Sequence, residues 1–223
     1  MAKYPQLADW KKIGESWEKI NGKDGDKKIP AGYDLFALKL TNKCISGDKP
    51  KFFLSCSIHA RELAPAELCT RFAEMLVQGY GNDAEITAVL DHHEVHLVLQ
   101  GNPDGRKEAE AGRTWRKNKN NNYCPDDVTF GLKGRDRGAD LNRNFPFLWG
   151  EASTDPCSSK YRGDSALSEP EAEASFNYFQ QLFPINQRGS EDITAAAPRN
   201  ATGVAFDVHS QGELILYPWR HVS

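Results

Sequence analysis

Short apolar runs and segments of helical spacing alternate along much of this chain. Residues 34–40, 51–58 and 203–208 are short and mostly apolar, with polar or turn residues around them, which is typical of strands. Residues 65–78 place apolar side chains three and four positions apart, which predicts a helix with one apolar face. We therefore expect an α/β fold in which a mixed, mostly parallel twisted sheet lies between helices.

Other segments give weaker structural predictions. Residues 7–20 predict a helix at the start of the chain, and residues 213–217 predict a further strand. Asn-Pro-Asp-Gly at 102–105 predicts a turn with a structural role, because Pro fixes its own φ and Gly tolerates positive φ. Ser168 and Glu171 have the spacing of a capping box, so we expect them to begin a helix rather than to serve as catalytic groups.

Three residues that suit a catalytic zinc ion follow two of the predicted strands. His59 and Glu62 come directly after the run 51–58, and His209 comes directly after the run 203–208. In mostly parallel α/β sheets, ligand sites open at the carboxyl ends of the strands, which is where these residues are expected. Two histidines and one glutamate supply three protein ligands and leave one position open for water. The sequence therefore predicts a zinc site of the hydrolytic kind.

A second group of histidines offers a rival metal site. His92 and His96 are four positions apart, as two ligands on one helix face would be, and His93 lies between them. However, Val95, Leu97 and Leu99 alternate with the other residues of the segment 95–100, including His96, and this period predicts a strand instead of a helix. We therefore favour the site at His59, Glu62 and His209.

Six short segments carry a resemblance that spans most of the chain. Together they resemble the zinc carboxypeptidases of the carboxypeptidase A type, and chance agreement over all six is implausible. The segments are HARE at 59–62, NPDG at 102–105, TWRKN at 114–118, DLNRN at 140–144, YRGDSALSEPE at 161–171 and VHSQGELILYPW at 208–219.

The resemblance assigns roles around a zinc ion. It implies that His59, Glu62 and His209 bind one Zn²⁺ per chain, and that Arg116 polarises the scissile carbonyl and stabilises its oxyanion. A fixed cation next to a metal suits the negative charge of a tetrahedral intermediate. The resemblance also implies that Asp140 accepts a hydrogen bond from His59, which would hold the imidazole tautomer and raise its basicity. Without the resemblance, Arg116 would be an ordinary residue of a basic surface loop.

The resemblance also implies the kind of substrate. Asn142 and Arg143 would hold the terminal carboxylate of a peptide, and the chemistry agrees, because a guanidinium donates two parallel hydrogen bonds to a carboxylate. The expected activity is therefore zinc-dependent hydrolysis of C-terminal residues from peptides. The expected partner is a peptide with a free C-terminal carboxylate, bound by a monomer.

The family pattern includes residues that this chain does not show. Family members carry, beyond the last zinc histidine, a tyrosine that closes on the substrate and a glutamate that activates the zinc-bound water, whereas this sequence ends at Ser223. We therefore expect residues 1–223 to be a single metallocarboxypeptidase domain, incomplete at its C-terminus and without its general base. Positioned proton transfer contributes about 10² to 10⁴ in rate, so activity of these residues alone is in question.

Two alternative functions stay open. One is a zinc- and carboxylate-binding fragment or pseudo-enzyme without catalysis, which fits the absence of a general base. The other is an amidohydrolase of small acylated amino acids, because related enzymes reuse His-x-x-Glu and a distant histidine on a similar sheet. The segments TWRKN at 114–118 and DLNRN at 140–144 together favour the peptidase.

Composition excludes some partners. A net charge of −3 and a pI near 6.1 give no broad attraction to nucleic acid or to anionic membranes, so we expect neither partner. No run approaches the roughly 18 apolar residues of a membrane span, and the first residues lack the apolar core of a signal peptide. At 39% hydrophobic and 26% charged residues, the chain is most simply one domain with one good core.

The chain has five cysteines, so at least one thiol has no intramolecular partner. We expect Cys56 and Cys69 to be buried. Cys124 and Cys157 lie in polar loops on either side of DLNRN, and the family resemblance implies a disulfide between them. The sequence alone leaves the location of the protein undetermined, whereas the resemblance implies a secreted or periplasmic protein.

Overall fold

The computed structural model describes residues 3–124, 137–184 and 198–216 of the 223-residue chain. In this part of the chain, strands alternate with helices, and two single turns of 3₁₀-helix lie at Leu141–Arg143 and Trp149–Glu151. The strands and α-helices in chain order are β1 Ala8–Glu15, α1 Trp17–Asn21, β2 Asp34–Leu40, β3 Lys51–Cys56, α2 Ala64–Gly79, α3 Ala84–His92, β4 Glu94–Val98, α4 Pro103–Glu110, α5 Pro170–Leu182 and β5 Gly203–Val208.

The five strands form one mixed sheet in the order β1-β2-β4-β3-β5. Strand β3 pairs in parallel with β4 on one side and with β5 on the other. Strand β2 pairs antiparallel with both β1 and β4. The α/β class with a mixed sheet is therefore confirmed, and within the described residues the parallel pairing is confined to the half of the sheet formed by β4, β3 and β5.

Helices cover both faces of the sheet. Helices α2 and α3 pack on one face, and helix α5 packs on the other. Each large apolar side chain that this packing removes from water contributes roughly 1.5–3 kcal/mol relative to an exposed position. The buried residues of the first layer are Leu7, Leu38, Leu40, Leu54, Cys56, Cys69, Ala73, Leu76, Leu90, Val95 and Leu97, and those of the second are Ala37, Phe53, Val98, Tyr178, Leu182 and Phe183.

The predicted helix over residues 7–20 is wrong. Residues 8–15 form strand β1, which pairs with β2 from Ala8↔Leu40 to Glu15↔Asp34, and only the short helix α1 follows. The spacing of apolar residues within this segment could not show that its backbone forms hydrogen bonds with β2, about 20 to 30 positions further along the chain. Strand β1 also packs so closely against α5 that only glycine fits at position 14. A Cβ built on Gly14 would lie 2.5 Å from the Cβ of Ala174 on α5.

Two predicted motifs have different structures from those expected. The sequence NPDG is the start of a helix rather than an isolated turn, since Asn102 caps α4 by accepting a hydrogen bond from Gly105 N at 3.1 Å. The predicted capping box between Ser168 and Glu171 is wrong. The N-cap residue of α5 is Glu169, and its side chain makes no capping hydrogen bond. The carboxylate of Glu171 instead points inward and accepts hydrogen bonds from Trp17 N at 2.7 Å and from Asn118 Nδ2 at 3.1 Å.

The chain after β5 is irregular. Residues 213–216 are not in a strand, so the predicted strand over 213–217 is not found in its described part, and Tyr217 lies outside the described residues. Most of β5 is exposed on both of its faces. Of the helices in the described ranges, none has both the length and the apolar character that crossing a bilayer requires.

The cysteines form two disulfides and leave one free thiol. Cys56, at the end of β3, is bonded to Cys69 on α2, with the Cα atoms 6.8 Å apart. Both residues are buried, as expected, but the bond between them was not expected from the sequence. Cys124 is bonded to Cys157, with the Cα atoms 4.9 Å apart, and Cys44 is exposed and free.

Burial of Glu171 gives a testable pH dependence of stability. Burial, and next the negative charge of Asp104, raise the pKa of Glu171 from 4.5 to about 8. The folded state therefore keeps a proton that the unfolded chain releases above pH 4.5, so Glu171 makes stability fall as pH rises towards 8. The maximum slope is about 1.4 kcal/mol per pH unit.

Urea unfolding at several pH values between about 6.5 and 8 measures this slope. We expect Glu171→Gln to flatten it, whatever its effect on the absolute stability. Glu173→Gln is the matched control, because Glu173 is on the same helix but exposed. An unchanged slope in Glu171→Gln would show that another group carries the pH dependence.

Candidate metal centre

The sheet topology brings His59, Glu62 and His209 together. His59 and Glu62 lie between the end of β3 and the start of α2, and His209 directly follows β5. Because β3 and β5 are parallel neighbours, with Cys56 opposite Val208, their carboxyl ends lie side by side. The rings of His59 and His209 are consequently 4.7 Å apart between centroids, although 149 residues separate them in the chain.

The three side chains converge on one point. Glu62 Oε1 lies 2.7 Å from His59 Nδ1, and Glu62 Oε2 lies 2.9 Å from His209 Nδ1. One donor atom from each residue lies within 4.8 Å of the other two, and within the described ranges this is the one such group of three or more metal-binding side chains. His59 and Glu62 are buried and His209 is partly exposed, so the group is accessible from one side.

The second ring nitrogen of each histidine, Nε2, is held by a carboxylate. Asp140 Oδ1 lies 3.2 Å from His59 Nε2, and Asp207 Oδ2 lies 2.8 Å from His209 Nε2. Each imidazole is therefore oriented with Nδ1 towards Glu62, so Nδ1 is the nitrogen that this arrangement offers to a metal ion. Asp207 was missed from the sequence, although its position two residues before His209 was a usable signal, because alternate residues of a strand share one side.

The electrostatics of the group suit a divalent cation. Burial alone would raise the pKa of Glu62, but hydrogen bonds from His209 and His59 hold it well below its usual range. Hydrogen bonds to Asp207 and then to Glu62 raise the pKa of His209 to about 10. Both shifts show that positive charge is stabilised next to Glu62, and two nitrogens with a carboxylate are a donor set that zinc accepts. The residues fit zinc.

Arg116 lies beside the metal-binding group. Its Nε and Nη2 atoms donate to Asp140 Oδ2 at 3.1 and 2.7 Å, and its Nη1 lies 3.4 Å from His59 Nδ1. Burial would raise the pKa of Asp140, but the hydrogen bond from His59 and the charge of Arg116 lower it. Asp140 thus stays ionised and holds both the imidazole and the guanidinium in place.

Asn142 and Arg143 are on the 3₁₀ turn that follows Asp140. Asp140 Oδ1 caps this turn by accepting a hydrogen bond from Asn142 N at 3.1 Å. Asn142 Nδ2 lies 3.3 Å from His209 Nε2, and Arg143 Nη1 donates to the carbonyl of Asn142 at 2.9 Å. A single capped turn thereby presents an amide and a guanidinium next to the metal-binding group.

All of the predicted site residues except Asp140 line one cleft of about 1020 Å³. Its walls include an apolar surface that was not predicted from the sequence, because scattered aromatic and aliphatic residues in loops have no periodic pattern. The site residues in the cleft are His59, Glu62, Arg116, Asn142, Arg143 and His209, and the apolar wall residues are Phe145, Phe147, Leu148, Trp149, Leu214 and Leu216.

The rival histidines do not form a metal-binding group within the described residues. His96 is buried on β4, where Nδ1 lies 2.7 Å from the Tyr178 hydroxyl and Nε2 lies 3.1 Å from Glu94 Oε2. His92 ends α3 and is exposed. His96 therefore fastens the sheet to α5, and His92 serves below as a control position.

A His/Glu/His group at the carboxyl ends of two parallel strands, with two arginines in the same cleft, is the kind of donor set and position that suits a catalytic zinc ion. The sequence pattern of the zinc carboxypeptidase family matches this chain over residues 1–223. The chain belongs to the zinc carboxypeptidase family.

Individual relatives agree with this assignment. Mast cell carboxypeptidase A from Rattus norvegicus is 29% identical over 226 residues, which cover 97% of this chain and 48% of the rat protein. Carboxypeptidase B from Helicoverpa zea is 30% identical over 223 residues, which cover 98% of this chain and 43% of the insect protein. The chain thus spans less than half the length of these two relatives.

Solved structures show the same similarity. Thrombin-activatable fibrinolysis inhibitor matches with a TM-score of 0.64 and 28% identity, over 81% of this chain and 40% of that one. Carboxypeptidase A from Helicoverpa armigera matches with a TM-score of 0.68 over 95% of this chain and 42% of that one. Its identity is 22%, so it supports the fold alone.

Proposed function

We propose that this chain contributes the metal-binding and carboxylate-binding part of a zinc-dependent carboxypeptidase that hydrolyses C-terminal residues from peptides. One observation carries the proposal: the His/Glu/His donor group and the Asn142–Arg143 turn face the same cleft. A metal site alone would suit many hydrolases, whereas an arginine and an amide beside it suit a substrate with a free carboxylate.

The residues have separate roles in this proposal. His59, Glu62 and His209 hold the zinc ion, which when bound polarises the scissile carbonyl and acidifies a water molecule. Arg143 and Asn142 bind the terminal carboxylate and so fix where along the peptide the reaction takes place. Arg116, held by Asp140, supplies positive charge where the oxyanion develops.

The proposal assigns no general base. Asp207 is engaged with His209, and Glu151 and Glu213 are exposed on the walls of the cleft. The expectation that the base is absent from residues 1–223 stays a prediction, as do the single-domain and monomer assignments. We also propose a secreted or periplasmic location, supported by the disulfides Cys56–Cys69 and Cys124–Cys157.

The direct test compares pairs of peptides that differ only at the C-terminus. We expect the zinc-loaded chain to remove residues from peptides with a free carboxylate about 10- to 100-fold faster than from the amidated peptides, because only a carboxylate can form a bidentate ion pair with Arg143. Mass spectrometry of the shortened products measures the two rates. Arg143→Ala is expected to remove most of the preference, and Arg71→Ala, at a residue 73% exposed on α2, is the control.

Other outcomes identify the alternatives. Equal rates on free and amidated peptides would contradict the role of Arg143. Faster cleavage of acylated amino acids than of dipeptides would favour the amidohydrolase. Bound zinc without any cleavage would favour a non-catalytic fragment.

A further inference from the structure

Asn102 is a fully buried residue between the two loops that carry His59 and Arg116. It follows β4 and caps α4. Its Nδ2 donates to the carbonyl of Ile58 at 3.2 Å and to the carbonyl of Lys117 at 3.0 Å, while its Oδ1 accepts from Gly105 N at 3.1 Å. These partners determine the amide orientation, because two carbonyls require a donor and a backbone N–H requires an acceptor.

Both carbonyl partners lie next to residues of the proposed site. Ile58 directly precedes His59, and Lys117 directly follows Arg116. A backbone hydrogen bond from Ala60 N to the carbonyl of Arg116, at 3.1 Å, joins the same two loops. The side chain of Asn102 and this backbone bond together form a double connection between the loop of a metal ligand and the loop of the arginine.

The packing around this connection leaves little room for adjustment. A Cβ built on Gly105 would lie 2.8 Å from the Cβ of Ala60, 2.8 Å from the carbonyl oxygen of Lys117 and 2.7 Å from Asn102 Oδ1. The first turn of α4 is therefore pressed against both loops at once, and only glycine permits this approach.

We propose that Asn102 is a positioning residue that fixes the separation between His59 and the Arg116 guanidinium. This inference rests on the proposed function, because it assigns Asn102 an effect on the same reaction. The relevant separation is the 3.4 Å between Arg116 Nη1 and His59 Nδ1. A misplacement of about 1 Å in a catalytic group costs roughly 10²-fold in rate, so two lost hydrogen bonds at this point have a large effect on turnover.

Two variants distinguish the role of Asn102 in connecting the two loops from its role in capping α4. Asn102→Asp keeps the acceptor for Gly105 N but removes both N–H donors, and Asn102→Ala removes all three bonds. The matched control is Asn42→Ala. Asn42 is also a buried asparagine, with Nδ2 bonded to Tyr80 and Asp91 and Oδ1 accepting from Cys44 N, but it lies at the other end of the sheet.

The first readout is amide hydrogen exchange of Ala60 in the metal-free chain, which does not depend on activity. We expect about 10-fold faster exchange in both Asn102 variants and no change in Asn42→Ala, because the Ala60–Arg116 bond opens more often without its partner connection. The second readout is steady-state kinetics, where kcat is expected to fall about 10- to 100-fold and KM to change less than about twofold, because Asn142 and Arg143 are not connected through Asn102.

Each result decides the proposal. Unchanged Ala60 exchange in Asn102→Asp overturns it, as does a fall in kcat that Asn42→Ala reproduces. An effect in Asn102→Ala that is absent from Asn102→Asp would make Asn102 only a helix cap. If the unmodified chain binds zinc but does not cleave peptides, the non-catalytic alternative is favoured over the proposed function, and the exchange measurement still decides whether Asn102 holds the two loops together.

Discussion

Replacing His59 by alanine is expected to weaken zinc binding by at least about 10²-fold and to abolish peptide cleavage. The free energy of binding of a structural zinc ion, about 10–16 kcal/mol, is shared among four ligands, so each one contributes several kcal/mol. His59 also connects Glu62 to Asp140, so its loss leaves two buried carboxylates without their shared partner. Competition with a fluorescent chelator measures the affinity, and C-terminal shortening of a peptide pool measures the activity.

The matched control is His92→Ala, because His92 belongs to the rival histidine group and is exposed. It is expected to bind zinc and to cleave peptides like the unmodified chain. Retained zinc affinity in His59→Ala would place the ion elsewhere, and lost affinity in both variants would point to general unfolding. Glu62→Gln supplies a second test, since its amide keeps the size of the side chain but removes the negative charge.

Arg116→Ala is expected to lower kcat by about 10²- to 10³-fold with a much smaller effect on KM. Removing one donor from an oxyanion site costs this much, because the interaction is strongest in the transition state. Arg116→Lys is expected to recover only part of the loss, since an ammonium cannot reproduce the two bonds at 3.1 and 2.7 Å by which Asp140 holds the guanidinium.

Steady-state kinetics on one peptide substrate separates kcat from KM for these variants. Arg113→Ala is the control, because Arg113 belongs to the same basic run but is exposed and pairs with Glu108. A rise in KM with unchanged kcat in Arg116→Ala would assign Arg116 to substrate binding instead. Equal effects of Arg113→Ala and Arg116→Ala would indicate a general electrostatic contribution from the basic run.

Predictions from the sequence were possible where a local pattern could be combined with a topological rule. Strands β2, β3 and β4 and helix α2 were predicted because buried strands and amphipathic helices leave a signal within a few residues. The meeting of His59 with His209 was predicted because the carboxyl ends of neighbouring parallel strands lie together. The family resemblance added the roles of Arg116 and Arg143, which residue type alone left undecided.

The predictions failed where a long-range contact decides the structure. The segment 8–15 is a strand only because β2 lies alongside it, and Glu171 faces inward only because Trp17 and Asn118 offer it hydrogen bonds. Similarly, the Cys56–Cys69 bond depends on how α2 packs against the end of β3. None of these partners could be identified from spacing along the chain.

The free thiol of Cys44 has a practical consequence for all of these experiments. It lies in the loop after β2, at the amino end of β3, whereas the metal-binding group lies beyond the carboxyl end, about 20 Å away along a strand of six residues. The other four cysteines are bonded in pairs, so a maleimide dye or biotin would attach at one place without mutagenesis. A chain immobilised through this thiol would turn its cleft towards the solution, provided that reductants that open the disulfides are kept out.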